Sequence, residues 1–496
     1  MAGQARGISR ADSNRQIVPP ETPDRFPGLL AASAMGVYLL LLVGATTALS
    51  DAASACAAWP ACGDGLSLPS TATGYVALGH RAAAATVGVL VVATAGLAWL
   101  RGTGRRVRLA LTAATVLYPA QAALGAWVAT GAVLPAGPSI APAGLLPADL
   151  SSTLHLVTGV TIFGALVAAL AWELESRTGD PDDAPTGPVE ADLPDEAPPR
   201  PDLPDDPVEL FVAKLRAYVS LTKPRLMWLL CLVAAAAMAL AGGPGFTART
   251  VAATLGGGVL AIGASGTFNH VLERDVDRKM ERTSDRPLAT DVVPVRNAVA
   301  FGGLLTVASV ALFASVNLLA AALGLVAILF YSVVYTLLLK PNTVQNTVLG
   351  GAAGALPALI GWAAVTGEVG LGGLALATVI FLWTPAHFYN LALAYRDDYA
   401  RGGFPMMPVV RGETATRKHI LWYFGATLAA AGGMAALARL DALYAVTSVA
   451  FGAAFLWAVV RLHYEQTEAA ALRSFHASNA YLGAVLLAVL VDAVAI

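Results

Sequence analysis

The chain has 496 residues, 56% hydrophobic and only 13% charged, with a mean hydropathy of +0.64. That composition excludes an ordinary soluble enzyme, and apolar runs continuous over about 20 residues exclude the alternating strands of an outer-membrane barrel. A formal net charge of −2, with no long basic tract, excludes nucleic acid as a partner and points to lipid and small amphiphiles.

Four apolar stretches, about 28–50, 73–99, 107–130 and 151–173, predict four spanning helices. The first has no clear small-residue cleavage site and reads as a retained helix. Between the second and third lies RGTGRRVR, whose Arg101, Arg105, Arg106 and Arg108 place it inside by the positive-inside rule. The loop carrying Cys56 and Cys62 is then outside, where an oxidising compartment would allow a disulfide; Cys231 lies within an apolar run. His80 opens the second helix and His155 the fourth, both in the outer third of the block. Two imidazoles opposed across a four-helix bundle suit either axial ligation of haem or interhelical hydrogen bonding.

After Glu175 the composition turns acidic and proline-rich, which predicts a disordered linker over 176–209 between domains at 1–175 and 210–496. Such a tether is long enough to permit many relative orientations. Nine further spans follow, at about 226–242, 251–270, 297–318, 321–339, 347–365, 370–393, 419–438, 443–461 and 476–495. Alternation from inside puts the loops at 271–296, 340–346, 394–418 and 462–475 on the cytoplasmic face, where most of the block's charge lies. Spans 297–318 and 321–339 are left with a very short turn between them.

A helix through NHVLERDVDRKMERTSDRPL, residues 269–288, stacks Asn269, Glu273 and Asp277 at i, i+4 and i+8 on one face at the membrane edge. Oxygen donors at that spacing can share Mg²⁺ with a substrate phosphate, and Arg282 and Arg286 add cations. The bland alternative is a solvated cytoplasmic loop. In HFYNLALAYRDDYARGGFPMMPV a continuing helix puts Tyr395 and Asp398 on one face and Asp397 elsewhere, with Gly402, Gly403 and Pro405 ending it. KPNTVQN supplies Lys340 and Asn346, and Lys223 stands at the entry to the block's first helix. Two acidic clusters with separate cations describe a site for a metal-held diphosphate, whose departure from an allylic carbon those charges would assist.

The same residues carry a family resemblance. NxxxExxxDxxMxRTxxRPL at 269–288, LTKPR at 221–225, YTLLLKPNTVQNTVLGGAAGALPALIGWAAVTG at 335–367 and WTPAHFYNLALAYRDDYARGGFPMMPVV at 383–410 resemble the protoheme IX farnesyltransferase (haem O synthase) family of the UbiA superfamily, over roughly 215–496. The resemblance implies nine helices around a central cavity and transfer of farnesyl from its diphosphate to a vinyl group of haem B. It implies that Asn269, Glu273, Asp277 and Asp398 hold Mg²⁺ and diphosphate and that Lys340 and Arg286 assist the leaving group. Lys223, Arg282, Asn346 and Tyr395 become substrate contacts, and His387 a haem-side candidate, with a buried hydrogen-bonding role as its alternative. His270 replaces the family's usual Gln, and Ala394 stands where the second motif would carry another acid.

Further upstream, ACAAWPAC at 55–62, GHR at 79–81, QAALGA at 121–126 and LHLVTG at 154–159 resemble one four-helix half of haem A synthase, over about 28–173. This implies a Cys56/Cys62 pair and haem-facing His80 and His155; Ala77 occupies the place of a functional carboxylate, so haem binding or delivery is expected rather than the complete reaction. The expectation is therefore an all-α polytopic protein of the cell membrane, a four-helix bundle followed by a nine-helix prenyltransferase domain. Its prenyltransferase site would face the cytoplasm and its N-terminal histidines the outer side. Expected partners are farnesyl diphosphate, haem B, lipid, and haem A synthase or terminal oxidase assembly proteins. The competing readings are an aromatic quinone-precursor prenyltransferase and a non-enzymatic haem carrier, the second of which leaves Glu273, Asp277, Lys340 and Asp398 without a common task.

Overall fold

Hydrocarbon offers the backbone no hydrogen-bond partner, so an apolar run that crosses it closes its N–H and C=O groups within itself as a helix. The computed structural model describes residues 25–49, 56, 59–62, 68–130, 150–181, 183, 187 and 201–495. Among them thirteen helices are long and apolar enough to cross a membrane, which makes this an all-α, multi-pass membrane protein.

The first four are α1 (Phe26–Leu49), α2 (Ala72–Leu100), α3 (Arg105–Thr130) and α4 (Leu150–Thr178). Thr71 caps α2 through the Gly74 amide. α4 outruns its expected end because Arg177 pairs with Glu173 one turn back and the Ser176 hydroxyl bonds the Glu173 carbonyl. Of the expected linker, residues 182, 184–186 and 188–200 lie outside the described residues. Its far end is helical: α5 (Pro207–Leu221) starts on an Asp206 cap with proline in the first turn. Val208, Phe211, Leu215 and Val219 form an exposed apolar stripe along it.

Beyond a left-handed Lys223 come α6 (Pro224–Ala241), α7 (Ala248–Leu272), the single turn α8 (Arg274–Asp277), α9 (Val295–Ala314) and α10 (Leu318–Leu329). The turn that looked too short works because α9 stops at Ala314 and Asn317 fastens the corner. Its Oδ1 caps Ala320 N and its Nδ2 donates to Ala363 O. α10 runs on as a π-helix over Phe330–Leu339. The remainder is α11 (Asn346–Thr366), α12 (Leu371–Ala394), the short α13 (Arg396–Arg401) and α14 (Met407–Arg411), then α15 (Glu413–Ala438), α16 (Ala442–Glu465) and α17 (Glu468–Ala495). α12 lies at the centre of this part, against α11, α15 and α17.

The freedom expected of the tether meets a packed interface. α1 and α4 lie on α15 and α16, and one continuous apolar core joins them. Within it Tyr38 of α1 is fully buried against Phe163 of α4, and its hydroxyl meets Ser448 of α16 at 2.6 Å. Glu175 pairs with Lys418, and Gln466 Nε2 donates to the Thr178 carbonyl. Just past α4, the Asp183 carboxylate accepts from Glu413 N at 3.0 Å and from Thr414 N, capping α15 from outside its own sequence. Gly412 is required there, since a Cβ would meet the Asp183 carboxylate at 2.7 Å.

Asp183→Ala is expected to remove about 1 kcal/mol of stability, the usual worth of a helix cap. Thermal unfolding in detergent would show a lowered midpoint; an unchanged midpoint would mean that the contact does not fasten the two parts.

Candidate active site

α7 brings a polar ladder out of its apolar length. Glu273 ends the helix formally, at φ −97° and ψ 6°. The i to i+4 pattern nevertheless continues through it, Glu273 N bonding Asn269 O at 2.9 Å and Asp277 N bonding Glu273 O at 2.7 Å. Asn269, Glu273 and Asp277 therefore occupy successive turns, and all three are buried. The solvated-loop alternative fails at these positions.

A buried charge is costly unless it is paired. Lys340 Nζ lies 2.6 Å from Glu273 Oε1, and Arg286 Nη1 donates to both Asp277 oxygens at 2.8 Å. Lys223 Nζ donates to Asn269 Oδ1 and reaches Tyr331 Oη at 3.4 Å, while Asn269 Nδ2 donates to Thr336 Oγ1 at 3.1 Å. Three cations thus surround two carboxylates and an amide. Burial raises the Glu273 carboxyl, yet Lys340 and Lys223 outweigh it and hold the group below its ordinary value. At Lys340 burial is likewise outweighed, by Glu273, and the ammonium lies above its ordinary value. Lys223 lacks such a carboxylate partner, and burial and then Arg286 bring it down to about 7.

Local backbone features aim these cations. Lys223 precedes Pro224 at φ 54°, a left-handed conformation that non-glycine residues seldom adopt, which turns its side chain into the site. Lys340 ends the π-helix, its amide bonded to Tyr335 O, and Asn346 Nδ2 donates to the Lys340 carbonyl at 3.4 Å. Asn346, expected to touch substrate, holds the Lys340 turn in this structure. The Lys340 ammonium also sits 4.2 Å from the centre of the Phe404 ring. The Arg286 turn is held by Thr283, whose hydroxyl donates to Asp277 O at 2.9 Å.

Residues 395–409 fold over the same end. Met280, Tyr399, Phe404, Met406 and Val409 make a small apolar core of their own, so the two polar segments pack as one cap. Asp398 is buried and Asp397 exposed, matching the expected division. Asp398, expected as a fourth metal ligand, has partners within the protein in this structure. Its oxygens accept from Glu281 N at 3.1 Å, Arg282 N at 3.3 Å and the Arg401 guanidinium, so it staples one segment to the other. Among the described residues no three His, Cys, Asp or Glu side chains converge as a metal cage. Arg282 is exposed and stacks on Tyr395 at 4.6 Å and Tyr399 at 5.5 Å, bracing the cap. His387 takes its hydrogen-bonding alternative: it is sandwiched between Trp383 and Phe475, each 4.2 Å away, and its Nδ1 meets Ser478 Oγ at 2.6 Å across α12 and α17.

Tyr331, Thr336 and Phe404 belong to the site and were not foreseen. The first two sit on the π-helix, whose wider turn sends side chains to positions that a 3.6-residue period does not mark. Lys223 and Tyr331 also line one end of an apolar cavity, which descends between α6, α7, α10 and α11.

At the far end of α2 and α4 stand the N-terminal histidines. His155 Nδ1 lies 3.1 Å from Gln121 O and its Nε2 3.3 Å from Gln121 Nε2. His80 Nδ1 is buried and has no hydrogen-bond partner among the described residues. A glycine backs each ring, Gly44 on α1 for His80 and Gly125 on α3 for His155. Cys56 and Cys62 are joined as a disulfide, with Ala77 packed beside it. Arg81 donates to the Cys56 and Ala61 carbonyls at 2.9 Å, tying that loop to α2.

Residues 229–482 match the family model described as the UbiA prenyltransferase family, and residues 70–192 match one described as cytochrome oxidase assembly protein. A protoheme IX farnesyltransferase of Haloquadratum walsbyi is 62% identical over 479 residues, covering 95% of this chain and 97% of its own. Protoheme IX farnesyltransferase 1 of Natronomonas pharaonis is 63% identical over 473 residues, covering 95% and 99%. A solved UbiA homolog from Archaeoglobus fulgidus, bound to GPP and Mg²⁺, aligns with a TM-score of 0.42 and 17% identity over 55% of this chain and 99% of its own. With more than half its residues inside the family model and whole-length relatives at this level of identity, the chain belongs to the UbiA prenyltransferase family.

Proposed function

We propose that the chain transfers farnesyl from farnesyl diphosphate to a vinyl group of protohaem IX, giving haem O and diphosphate. The activity is the one that its whole-length relatives are named for. The observation that carries it here is the juxtaposition of a buried cation cluster with an apolar cavity that starts at Lys223. One end suits a diphosphate and the other a prenyl chain. Lys340 and Arg286 are poised to exchange their carboxylate partners for phosphate oxygens, and Lys223 to follow them. That frees Asn269, Glu273 and Asp277 as hard oxygen donors, a set that fits Mg²⁺ shared with phosphate better than an all-protein cage. When bound, the ion neutralises charge on the departing diphosphate. The cap over 273–290 and 395–409 would shield C1 from water while the C1–O bond breaks and the vinyl electrons close on C1; the cation left on the haem-side carbon then adds water and loses a proton, giving the hydroxyl of haem O. Asp398, Arg282, Tyr395 and Asn346 position that cap and its cations.

In the same reading the chain divides at the acidic tether into a four-helix module and a nine-helix prenyltransferase domain. The Arg101–Arg108 loop and the end of α4 share a face with the cap, which supports a cytoplasmic transfer site. His80 and His155 then lie toward the outer face, on the order of 30 Å away along α4. Their placement, the unpartnered His80 nitrogen and the cytochrome oxidase assembly match support haem ligation by this pair. A carrier without chemistry would have no use for the Glu273, Asp277 and Lys340 cluster.

Glu273→Gln, Asp277→Asn and Lys340→Met should each lower haem O formation by about 10²- to 10³-fold in membranes given haem B, farnesyl diphosphate and Mg²⁺. Undiminished product from Asp277→Asn would contradict the assignment. His80→Ala should leave that rate unchanged. In purified protein reconstituted with haem, the His80→Ala, His155→Ala double variant should lose the low-spin bis-imidazole spectrum; an unaltered spectrum would remove the pair as ligands.

A further inference from the structure

The apolar cavity has a definite depth. Its lining runs along α7 from Gly266 to Thr254 and along α6 from Lys223 to Ala234, intervals of twelve and eleven residues. At about 1.5 Å per residue that is roughly 16 to 18 Å. Three isoprene units, twelve carbons end to end, extend to roughly 15 Å when bonds of about 1.5 Å are projected along a zigzag. One isoprene unit more would not fit.

Phe313 narrows the deep third of the cavity, at the level of Gly257. It is fully buried, lines the cavity, and is wedged between α7 and α10. A Cβ on Gly257 would come within 3.0 Å of its ring, and one on Gly324 would clash with it outright. At the same level the Ser309 hydroxyl donates to Gly257 O at 2.7 Å, fixing α9, which carries Phe313, against α7. Phe313 is therefore packed in place. Gly258 is the opposite case: it lines the lumen, and a Cβ there would meet nothing within 4 Å. It lies seven residues below Ser265, roughly 10 Å down, where the third isoprene unit would begin.

We propose that Phe313 is a specificity-determining residue that narrows the deep third of the prenyl cavity and so limits the donor to three isoprene units, while the bare Cα of Gly258 at the same level leaves room for the third. The proposal rests on reading the cavity as the donor-chain site. Lipid-facing helices elsewhere in the molecule set no such length.

The test supplies membranes holding the full-length protein with haem B, Mg²⁺ and an equimolar mixture of geranyl, farnesyl and geranylgeranyl diphosphates, and resolves the haem products by mass. Wild type should make mainly the farnesyl adduct. Phe313→Ala should raise the geranylgeranyl-to-farnesyl product ratio by about tenfold or more, and Gly258→Leu should raise the geranyl-to-farnesyl ratio similarly, the scale on which apolar pockets discriminate size. Phe313→Leu, which keeps most of the packing, should move the ratio in the same direction as Phe313→Ala by less. Active variants with the wild-type product ratio would overturn the proposal, and if Phe313→Ala does not accumulate, the ratios of Gly258→Leu and Phe313→Leu decide it. A wild type that makes no adduct from any donor would overturn the farnesyltransferase reading itself, and the ruler with it.

Discussion

Charges buried at the end of a membrane helix must be neutralised where they stand, and this constraint organises the prenyltransferase half of the molecule. Glu273 and Asp277 could not be held in place by α7 alone, because water does not reach them to offset their desolvation. Each is met by a cation from a distant element: Lys340 from the end of the π-helix, Arg286 from the turn beyond α8. Lys223 completes the cluster from a strained position before α6. The arrangement carries one basic group more than it has carboxylates, and Lys223, without a carboxylate partner to offset its burial, is brought down to about 7. An arriving diphosphate supplies the anion that such a cluster lacks.

Irregular backbone accompanies this cluster at every point. A left-handed residue before a proline, a π-helix and a hinge at Glu273 all interrupt otherwise regular spans, and all three lie where the cavity opens. Non-helical backbone is tolerated at membrane depth only where protein covers it, and the cap stapled by Asp398 provides that cover. The two acidic segments therefore have different tasks. In this structure the first pairs its carboxylates with cations, and the second is fastened to the first through Asp398.

Much of this was legible in the residues themselves. The bilayer imposes length and hydropathy on each span, so thirteen helices were countable in advance, and the Asn269, Glu273, Asp277 spacing survives because hydrogen bonding continues through the hinge. Other features depend on contacts between distant segments. That Asp398 binds backbone amides at 281 and 282 follows from two loops meeting, which no local pattern announces. Tyr331 and Thr336 were hidden by a change of helical period, whereas the hydrogen-bonding role was one of the two readings of His387 and only its partner, Ser478 of α17, depended on the fold. The start of α5 was obscured by acidic, proline-rich surroundings, although Asp206 and Pro207 are themselves a helix-start signal. The tether's composition likewise gave no hint that Asp183 caps α15 and that α1 and α4 share a core with α15 and α16. The first four helices packed, through α1 and α4, against α15 and α16 in one body, rather than two freely hinged domains, is the arrangement that results.

The most direct test of the buried cluster as a metal-diphosphate site is a single-turnover assay on purified full-length protein, stripped of divalent ions and given haem B and farnesyl diphosphate. The account predicts no haem O until Mg²⁺ is added, then haem O and diphosphate released in equal amounts. Haem O formed at full rate without a divalent ion, or no haem O with it, would contradict the account.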